Sequence, residues 1–375
     1  MDRFTPFALE RWMSLHEQAV AYNLSESGVK PLTLEELLGY DPAARDRFLA
    51  AELNYPQVNG IPELRSHIAG LYSGATENNV LVTVGAIEAN YITVRTLCSP
   101  GDEIAVMVPN YMQIWGVGKN HDLKLKTFHL MEDRGWCLDQ NELEEAVSPR
   151  TRLIAVCNPN NPTGHILSGD EMEHIVSLAE RCGAWILADE VYAGAERITD
   201  TQTPSFFGRA ERVAAVGSMS KAYGLPGLRL GWIVAPEAMI DEIWARHDYV
   251  AISATMLSNR LAALALSPQV RSRILDRTRG FIRRGFQVLE RWVDDQDGVL
   301  TMIPPQAAAI ALLRYHLPIE SAALSDRLRI EQGVLVVPGD HFAVDHHLRF
   351  SFGLPENHLR EALLRCSSTI MDLKT

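Results

Sequence analysis

Short apolar runs and longer amphipathic segments alternate through the middle of the chain. The apolar runs predict strands at residues 80–84, 103–108, 123–128, 152–157, 184–188, 212–216 and 230–234. The segments between them predict helices at residues 85–97, 112–117, 138–146 and 171–181. The strands carry few polar residues, which is typical of strands covered on both faces. This alternation indicates an α/β fold with a mostly parallel sheet and helices on both faces.

The two ends of the chain carry a different pattern. Near the start, Phe7, Leu9, Trp12 and Met13 predict a short helix anchored on the body of the protein. Helical spacing continues from about residue 239 to about residue 293. Beyond it, the pattern predicts a strand at 308–313, a helix at 319–331, strands at 334–337 and 347–351, and a last helix from Pro355. We therefore expect a smaller α+β domain built from both chain ends.

Length, charge and cysteine content limit the classes of function. A chain of 375 residues is long enough for two domains. A net charge of −12 argues against a nucleic-acid partner and against binding to an anionic membrane surface. The chain has 5 cysteines without C-x-x-C spacing, which favours reduced thiols in a cytoplasmic protein. The pair His346-His347 lacks a third spaced ligand, so we expect no metal.

Polar motifs follow several of the predicted strands at the point where each strand ends. They are TVGAIEAN at residues 83–90, NPNNPTG at 158–164, LADEVY at 187–192 and GSMSKAYGLPGLRLG at 217–231. Because open α/β sheets bind ligands outside the carboxyl ends of their strands, we expect these motifs to form one ligand site.

The residue types in these motifs suggest particular chemistry, although each has an alternative explanation. Lys221 lies among small residues that allow a flat ligand to approach the backbone, so it is either a surface loop lysine or a lysine that forms a Schiff base. Asp189 ends a buried strand, where it either meets a cation or forms a structural cap or ion pair. Free N–H groups after Gly85 make an anion site unless the segment is a plain strand-to-helix turn.

In this order and combination, the motifs resemble those of the class I/II aminotransferases, which are fold-type I enzymes that use pyridoxal 5′-phosphate. The resemblance covers residues 55–349. It implies the fold-type I transferase fold and a homodimer with shared active sites, acting on a free L-α-amino acid. It also implies three regions: an N-terminal segment at 1–40 that covers the site and joins the small domain, a large cofactor-binding domain at 41–285, and a small domain at 286–375.

The resemblance also assigns roles to single residues around the cofactor ring. Lys221 is expected to hold the cofactor as a Schiff base and then to move the Cα proton of the substrate. Asp189 is expected to keep the pyridine nitrogen protonated. Asn161 and Tyr192 are expected to donate to the ring's phenolic oxygen, and Tyr111 to stack on the ring.

The remaining roles implied by the resemblance concern the phosphate and the substrate carboxylate. Residues expected at the phosphate are Gly85, Ala86, Ile87, Ser218 and Arg229, with Tyr55 reaching the phosphate of the partner subunit. Arg349, in the segment HLRFS, is expected to bind the substrate α-carboxylate as a bidentate fork, assisted by Asn161.

Two stretches differ from ordinary transaminases. Many relatives carry a P-x-G-G element where residues 304–309 are PPQAAA, and the added Cβ atoms are expected to reshape the substrate pocket. The N-terminal residues resemble the subgroup that includes capreomycidine synthase, which implies that Glu10, Ser25 and Gly28 bind substrate. Glu10 and Glu26 would reach a guanidinium if the N-terminal segment folds over the site, and the alternative is that both are solvated surface acids. Transamination is the first hypothesis. Elimination and cyclisation of a hydroxylated arginine-like amino acid is the alternative.

Overall fold

The computed structural model describes residues 4–374. Its strands are β1 Tyr22–Asn23, β2 Val80–Thr83, β3 Glu103–Val108, β4 Lys124–Met131, β5 Cys137–Leu138, β6 Thr151–Cys157, β7 Trp185–Asp189, β8 Val213–Ser218, β9 Gly231–Val234, β10 Leu300–Met302, β11 Ile310–Tyr315, β12 Val334–Leu335, β13 Val337–Pro338 and β14 His347–Ser351. Its helices are α1 Ala8–His16, α2 Leu34–Leu38, α3 Pro42–Leu49, α4 Pro62–Ala69, α5 Gly85–Leu97, α6 Gln113–Asn120, α7 Gln140–Ala146, α8 Gly169–Cys182, α9 Glu237–His247, α10 Met256–Leu266, α11 Pro268–Asp294, α12 Ser321–Gln332 and α13 Glu356–Lys374.

An eight-stranded sheet in the order β2-β9-β8-β7-β6-β3-β4-β5 forms the centre of the molecule. Strands β8, β7, β6, β3 and β4 pair in parallel, so the prediction of a mostly parallel sheet is confirmed. Strand β9 runs antiparallel to both β8 and β2. No α-helix lies between β8 and β9, and a short connection without a crossover returns the chain in the opposite direction.

Both faces of this sheet are covered. In β3, Ile104 and Val106 pack into one cluster of buried side chains with residues of α5 and α9. The alternate residues Ala105 and Met107 pack into another cluster with residues of α7 and α8. Successive side chains of a strand point to opposite faces, so both faces need apolar residues. This requirement explains the continuous apolar runs in the sequence.

The smaller part of the molecule contains a four-stranded antiparallel sheet in the order β10-β11-β14-β13. The predicted strand 334–337 is two short strands with different partners, because β12 pairs with β1 and β13 pairs with β14. Strand β10 and helix α3 were not predicted. Helix α11 runs through the predicted domain boundary after residue 285, so the boundary between the expected domains lies inside a continuous helix.

The N-terminal segment contacts both parts of the molecule. The indole N–H of Trp12 in α1 donates to the Val336 carbonyl at 3.3 Å. Leu9 and Met13 pack with Val337 and Phe342. On the other side, the Thr5 backbone exchanges hydrogen bonds of 2.7 and 2.9 Å with the Asn120 side chain at the end of α6. Helix α1 thus lies over the junction between the two parts.

No helix within residues 4–374 is both long enough and apolar enough to cross a bilayer.

Two glycines of α11 give a matched test of the packing between this helix and the small sheet. A Cβ at Gly285 would lie 1.8 Å from the Phe352 carbonyl oxygen, whereas a Cβ at Gly280 meets only the flexible end of Arg284, at 3.2 Å. We expect Gly285→Ala to lower the free energy of unfolding by about 1–3 kcal/mol, as overpacking does. Gly280→Ala should retain or raise stability, because alanine favours helix. Urea unfolding measures both, and equal effects would contradict this packing.

Candidate active site

The predicted motifs converge on one cavity of about 670 Å³ at the carboxyl edge of the large sheet. We call it the Lys221 cavity. The predicted site residues that line it are Glu10, Ala86, Ile87, Tyr111, Asn161, Asp189, Tyr192, Ser218, Lys221, Arg229 and Arg349. They come from several strand ends and from the N-terminal segment, which lines part of the cavity. The structure therefore brings together most of the residues that the sequence singled out.

Lys221 follows β8 in the short connection to β9. Burial lowers the pKa of its amine, and the nearby negative charges of Glu26 and Glu10 oppose this shift. An amine with a lowered pKa is a better nucleophile and base near neutral pH than an ordinary lysine. The lowered pKa increases the fraction of neutral amine, which is the form that covalent chemistry at Lys221 requires.

Asp189 ends β7 and is buried in the cavity wall. Its Oδ2 accepts a hydrogen bond of 2.9 Å from the side-chain amide of Asn90, and its Oδ1 accepts one of 3.3 Å from the Val191 N–H. Burial raises the pKa of the carboxyl, while these hydrogen bonds act against it. The carboxylate is therefore fixed in orientation and is available to a cationic ligand group. Asn90 was not among the predicted site residues, although it lies one helical turn beyond Ala86.

An anion cradle lies where α5 begins. Gly85 adopts a φ of +75°, and a Cβ there would lie 2.6 Å from the Arg229 guanidinium. No side chain caps the first turn of α5, which leaves N–H groups of Ala86 and Ile87 free for an anion. Arg229 also donates to the Ser220 hydroxyl at 3.4 Å. Ser220 lines the cavity and is a further member of the cradle that the sequence analysis missed.

Arg349 on β14 is almost fully buried and lines the cavity. It donates to the Asn161 Oδ1 at 2.9 Å and to the Ser25 carbonyl. Its Nε has no hydrogen-bond partner among the described residues. An unpaired buried guanidinium donor is costly, and a substrate carboxylate would satisfy it. Tyr192 is buried beside these groups, and burial raises the pKa of its hydroxyl, which keeps it a donor.

Tyr111 links the cavity to the N-terminal helix. Its hydroxyl donates to Glu10 Oε1 at 2.5 Å, and its ring packs edge-on against Phe7 with centroids 4.9 Å apart. Burial and the charge of Glu10 raise the pKa of the Tyr111 hydroxyl. The contact positions Glu10 at the cavity and fixes the ring of Tyr111.

The N-terminal segment supplies three carboxylates to the cavity, from Glu10, Glu17 and Glu26, which we call the acidic wall. Burial raises the pKa of Glu17, and the charges of Glu26 and Glu10 add to this effect. Glu17 was not predicted from the sequence. It lies seven residues after Glu10 and four after Met13, which is the spacing of one helix face. This helical spacing could have identified Glu17 from the sequence.

Several expected residues lie elsewhere. Ser25 is buried and its hydroxyl bonds to Asn23 Oδ1 at 2.7 Å, so only its carbonyl acts at the site, by holding Arg349. Gly28 packs against the backbone at Ser220, where a Cβ would lie 3.3 Å from the carbonyl oxygen. Neither residue lines the cavity within the described chain. Tyr55 is 81% exposed and is also outside the cavity, so its role toward a partner subunit stays a prediction.

Residues 304–309 do not line the cavity either, in contrast to the expectation from the sequence. The Gln306 and Ala307 N–H groups donate to the Gly164 carbonyl at 2.9 Å, and the Gln306 side chain accepts from Ile166 N at 2.7 Å. Ala308 adopts a φ of +66°, a conformation that glycine adopts more readily. Residues 304–309 therefore hold the loop at 158–164 in place through hydrogen bonds made outside the cavity lining.

Cys137, His165 and Glu171 form a separate cluster whose ligand-type atoms lie within 4.8 Å of one another. The Glu171 carboxylate already accepts the Leu138 N–H at 2.6 Å and the Ser168 N–H at 2.7 Å, where it completes the cap of α8. Helix capping and strand anchoring thus account for Glu171.

Comparisons with known proteins agree with this geometry. The family model "Aminotransferase class I and II" matches residues 48–365, and the chain belongs to this family. Capreomycidine synthase of Streptomyces vinaceus is 30% identical over 368 residues, covering 96% of this chain and 93% of that protein. Arginine–pyruvate transaminase AruH of Pseudomonas aeruginosa is 27% identical over 342 residues, covering 88% and 86%.

Solved structures give the same picture. A PLP-dependent aminotransferase from Streptococcus suis superposes with a TM-score of 0.93 at 28% identity, covering 100% of this chain and 99% of that one. The PLP-dependent cyclase OrfR superposes with a TM-score of 0.88 at 25% identity, covering 99% and 98%. The fold is thus shared by relatives that are named for two different reactions.

Glu190, which follows Asp189 in the sequence and is buried, tests how burial changes the pKa of a carboxyl group beside the site. Burial raises its pKa to about 8, although Oε1 accepts from Phe206 N at 2.8 Å and from the Ser205 hydroxyl at 2.9 Å. The pKa of Glu190 is about 8 in the folded protein and about 4.3 in the unfolded chain, so the folded protein binds more protons between these two pH values. The free energy of unfolding therefore falls as pH rises from about 4.3 to about 8.

We expect Glu190→Gln to match the wild type near pH 4.5 and to be more stable at pH 8.5, because glutamine has no charge to bury. Urea unfolding at the two pH values measures this, with the exposed Glu63→Gln as the control. A stability difference between Glu190→Gln and the wild type that does not change with pH would contradict the raised pKa.

Proposed function

We propose that the Lys221 cavity binds pyridoxal 5′-phosphate. Three features of the described residues fit this group. A Cβ at Gly231 would lie 2.5 Å from the Ala86 N, so the two glycines keep the anion cradle open for a phosphate. Asp189 presents a fixed, buried carboxylate of the kind that a protonated pyridine nitrogen requires. The Lys221 amine, with its lowered pKa, lies in the same cavity.

When bound, this cofactor supplies a ring that accepts electron density from the substrate's Cα. Lys221 would hold the cofactor covalently through Nζ and, once displaced, would take up and return the proton at Cα. Asp189 would keep a proton on the ring nitrogen, and Asn90 would keep Asp189 in place. Asn161 and the Tyr192 hydroxyl would donate to the ring's phenolic oxygen, and Tyr111 would stack on the ring. Ser218, Ser220 and Arg229 would bind the phosphate.

We infer that the substrate is a free L-α-amino acid whose α-carboxylate binds Arg349. The unpartnered Nε of this buried guanidinium supports the assignment, since a carboxylate would accept from it directly. Asn161 holds one terminal nitrogen of Arg349 and so orients the fork toward the cavity. This arrangement would place the substrate Cα near Lys221.

The reaction that this site supports best is transamination. The observation that carries this proposal is the convergence of Lys221, Asp189 and Arg349 on one cavity in a chain of the aminotransferase family. Cyclisation with loss of a hydroxyl group from an arginine-like amino acid is a second candidate, favoured by the 30% identity to capreomycidine synthase across 96% of the chain. Lys221, Asp189 and Arg349 would serve both reactions, because both begin with removal of the Cα proton.

We further propose a homodimer in which Tyr55 completes the partner's phosphate site. Exposed apolar side chains in two segments of the chain support it, namely Leu49, Leu53 and Tyr55 in one and Tyr249, Val250 and Ile252 in the other. Light scattering that yields the mass of a single chain would contradict the dimer.

The cysteines are unpaired, which supports the proposal of a reducing, cytoplasmic location.

Variants at Lys221 and Asp189 test the cofactor proposal. Lys221→Ala should abolish the visible absorbance that the wild type shows after incubation with pyridoxal 5′-phosphate, because the covalent link is lost. Asp189→Asn should bind the cofactor but lose about a hundredfold or more in turnover. The exposed Lys126→Ala serves as the control and should behave as wild type. A colourless wild-type protein, or full turnover by Asp189→Asn, would contradict the assignment.

The products of a panel of amino acids decide between the two reactions. The panel includes common L-amino acids and hydroxylated arginines, and products are followed by absorbance and mass. Transamination should yield a 2-oxo acid and the pyridoxamine form of the cofactor. Cyclisation should yield a product 18 Da lighter than the substrate, with its amino group retained and one water lost. If the first outcome fails for every amino acid while the second occurs, the alternative replaces our first proposal.

A further inference from the structure

A second cavity, of about 530 Å³, is separate from the Lys221 cavity. We call it the Arg271 cavity. Residues 70–73, which follow α4, the loop at 202–209 and the first turn of α11 form its walls. The two cavities have no lining residue in common within residues 4–374. None of the exposed apolar side chains that support the proposed dimer lines the Arg271 cavity either. This concave surface is therefore not explained by the chemistry proposed above.

The charged side chains of the Arg271 cavity are all of one sign. Arg209 and Arg271 line it, and no aspartate or glutamate of the described chain does so. Neither arginine forms a salt bridge within residues 4–374. The whole chain has a net charge of −12, so two such positive charges in one concave surface stand out from their surroundings. A cleft lined by one sign of charge attracts ligands of the opposite sign.

Two buried acids contact the lining from behind but do not supply the missing negative charge. Glu190 accepts from the Ser205 hydroxyl at 2.9 Å, and burial raises the pKa of Glu190 to about 8, so its neutral form dominates at pH 7. Glu196 accepts from the Thr203 hydroxyl at 3.0 Å and is already paired with Arg279 at 2.7 Å. The positive charges at the cavity therefore remain uncompensated.

Both guanidinium groups are held in place by neutral acceptors. The Nε of Arg271 donates to the Tyr223 hydroxyl at 3.2 Å, and a terminal nitrogen of Arg271 donates to the Gln202 side-chain oxygen. The Nε of Arg209 donates to the Ser205 carbonyl at 3.2 Å. These contacts fix the groups without cancelling their charge. Both terminal nitrogens of Arg209 and one of Arg271 have no hydrogen-bond partner in the part of the chain that the structure describes, so they are free to donate to a ligand.

The same cavity has an apolar wall beside the two arginines. The rings of Tyr72 and Phe207 both line it and pack edge-on with centroids 6.1 Å apart. Leu71 and Pro204 extend this wall. Sites for small organic ligands typically combine an apolar lining with a few fixed polar groups. The wall therefore favours an anion with an organic body over an inorganic ion.

We propose that the Arg271 cavity binds a small organic dianion, either a phosphate monoester or a dicarboxylate. Its charged groups accept hydrogen bonds from Arg209 and Arg271, and its apolar body lies against Tyr72 and Phe207. Two arginines match a double negative charge, and the planar guanidinium presents paired donors that suit both phosphate and carboxylate. The proposal goes beyond the function proposed for the Lys221 cavity and does not depend on it.

Four ligands test the charge and the organic body separately. Calorimetry is performed at about 150 mM salt on protein saturated with pyridoxal 5′-phosphate. We expect phenyl phosphate or phthalate to bind with a Kd below about 1 mM, and the tighter of the two identifies the preferred anionic group. Benzyl alcohol, which has the ring without the charge, should give no binding heat. Inorganic phosphate, which has the charge without the ring, should bind at least about threefold more weakly than phenyl phosphate.

Arginine variants then locate the binding. Arg209→Gln should weaken the tighter dianion at least about tenfold, because it removes charge-assisted hydrogen bonds. Arg271→Lys retains the charge but loses the fork, and a loss of about threefold or more is expected. Arg212→Gln is the matched control: this exposed arginine lies three residues beyond Arg209 and outside the cavity, so its loss changes the net charge equally and should leave affinity unchanged. Wild-type unfolding midpoints and cofactor absorbance establish that each variant is folded.

Three results would overturn the site. The first is a Kd above about 1 mM for both dianions. The second is an equal loss of affinity in Arg209→Gln and Arg212→Gln, which would indicate only a general effect of net charge. The third is binding that changes the cofactor absorbance and is unaffected by Arg209→Gln, which would place the dianion in the Lys221 cavity. All three leave the cofactor proposal intact, since variants at Lys221 and Asp189 test that proposal separately.

Discussion

The close approach of β9 to the start of α5 is the constraint on which the rest of the site depends. The pairing of β2 with β9 places Thr83 beside Gly231, directly where the chain turns into α5. A side chain at Gly231 would come within 2.5 Å of the Ala86 backbone nitrogen. Because the chain returns from β8 to β9 without a crossover helix, Lys221 and Arg229 both lie on this short connection. One geometric requirement therefore positions the reactive amine and the anion cradle together.

Electrostatics divides the cavity into regions with separate tasks. In the proposed complex, Asp189 would face the ring nitrogen, the glycine-rich turn and Arg229 would bind the phosphate, and Arg349 would bind the substrate carboxylate. Each of these groups is held by a neutral partner: Asn90 for Asp189, Ser220 for Arg229 and Asn161 for Arg349. Neutral partners fix the orientation without cancelling the charge. The charges thus stay available for a ligand.

Much of this arrangement could be predicted from the sequence, for a physical reason. Strands covered on both faces need continuous apolar runs. Polar groups at the ends of these strands must meet a ligand or water. The polar motifs that follow the apolar runs could therefore be recognised in the sequence. The residues that were missed act through contacts between distant segments. Asn90 is important because α5 places it 2.9 Å from Asp189, 99 residues away in the sequence. Glu17 becomes part of the cavity only because α1 docks on β13.

The tertiary structure also reversed one expectation. Residues 304–309 differ from the related glycine-containing element, and the sequence suggested a changed pocket. The structure shows that they support the 158–164 loop from behind, and that Ala308 retains a backbone conformation typical of glycine. The local sequence shows that residues 304–309 carry side chains where relatives have glycine. The direction in which these side chains point depends on packing between segments that are more than a hundred residues apart.

The position of the acidic wall within α1 and the stretch that follows it has an evolutionary consequence. The groups proposed to act on Cα lie between Gly85 and Arg349, whereas the three carboxylates of the acidic wall, which line the same cavity, lie within residues 10–26. Mutation can therefore alter one set while leaving the other unchanged. The lining of the cavity can thus change through substitutions in a stretch of 17 codons near the amino terminus, without any change at Lys221, Asp189 or Arg349.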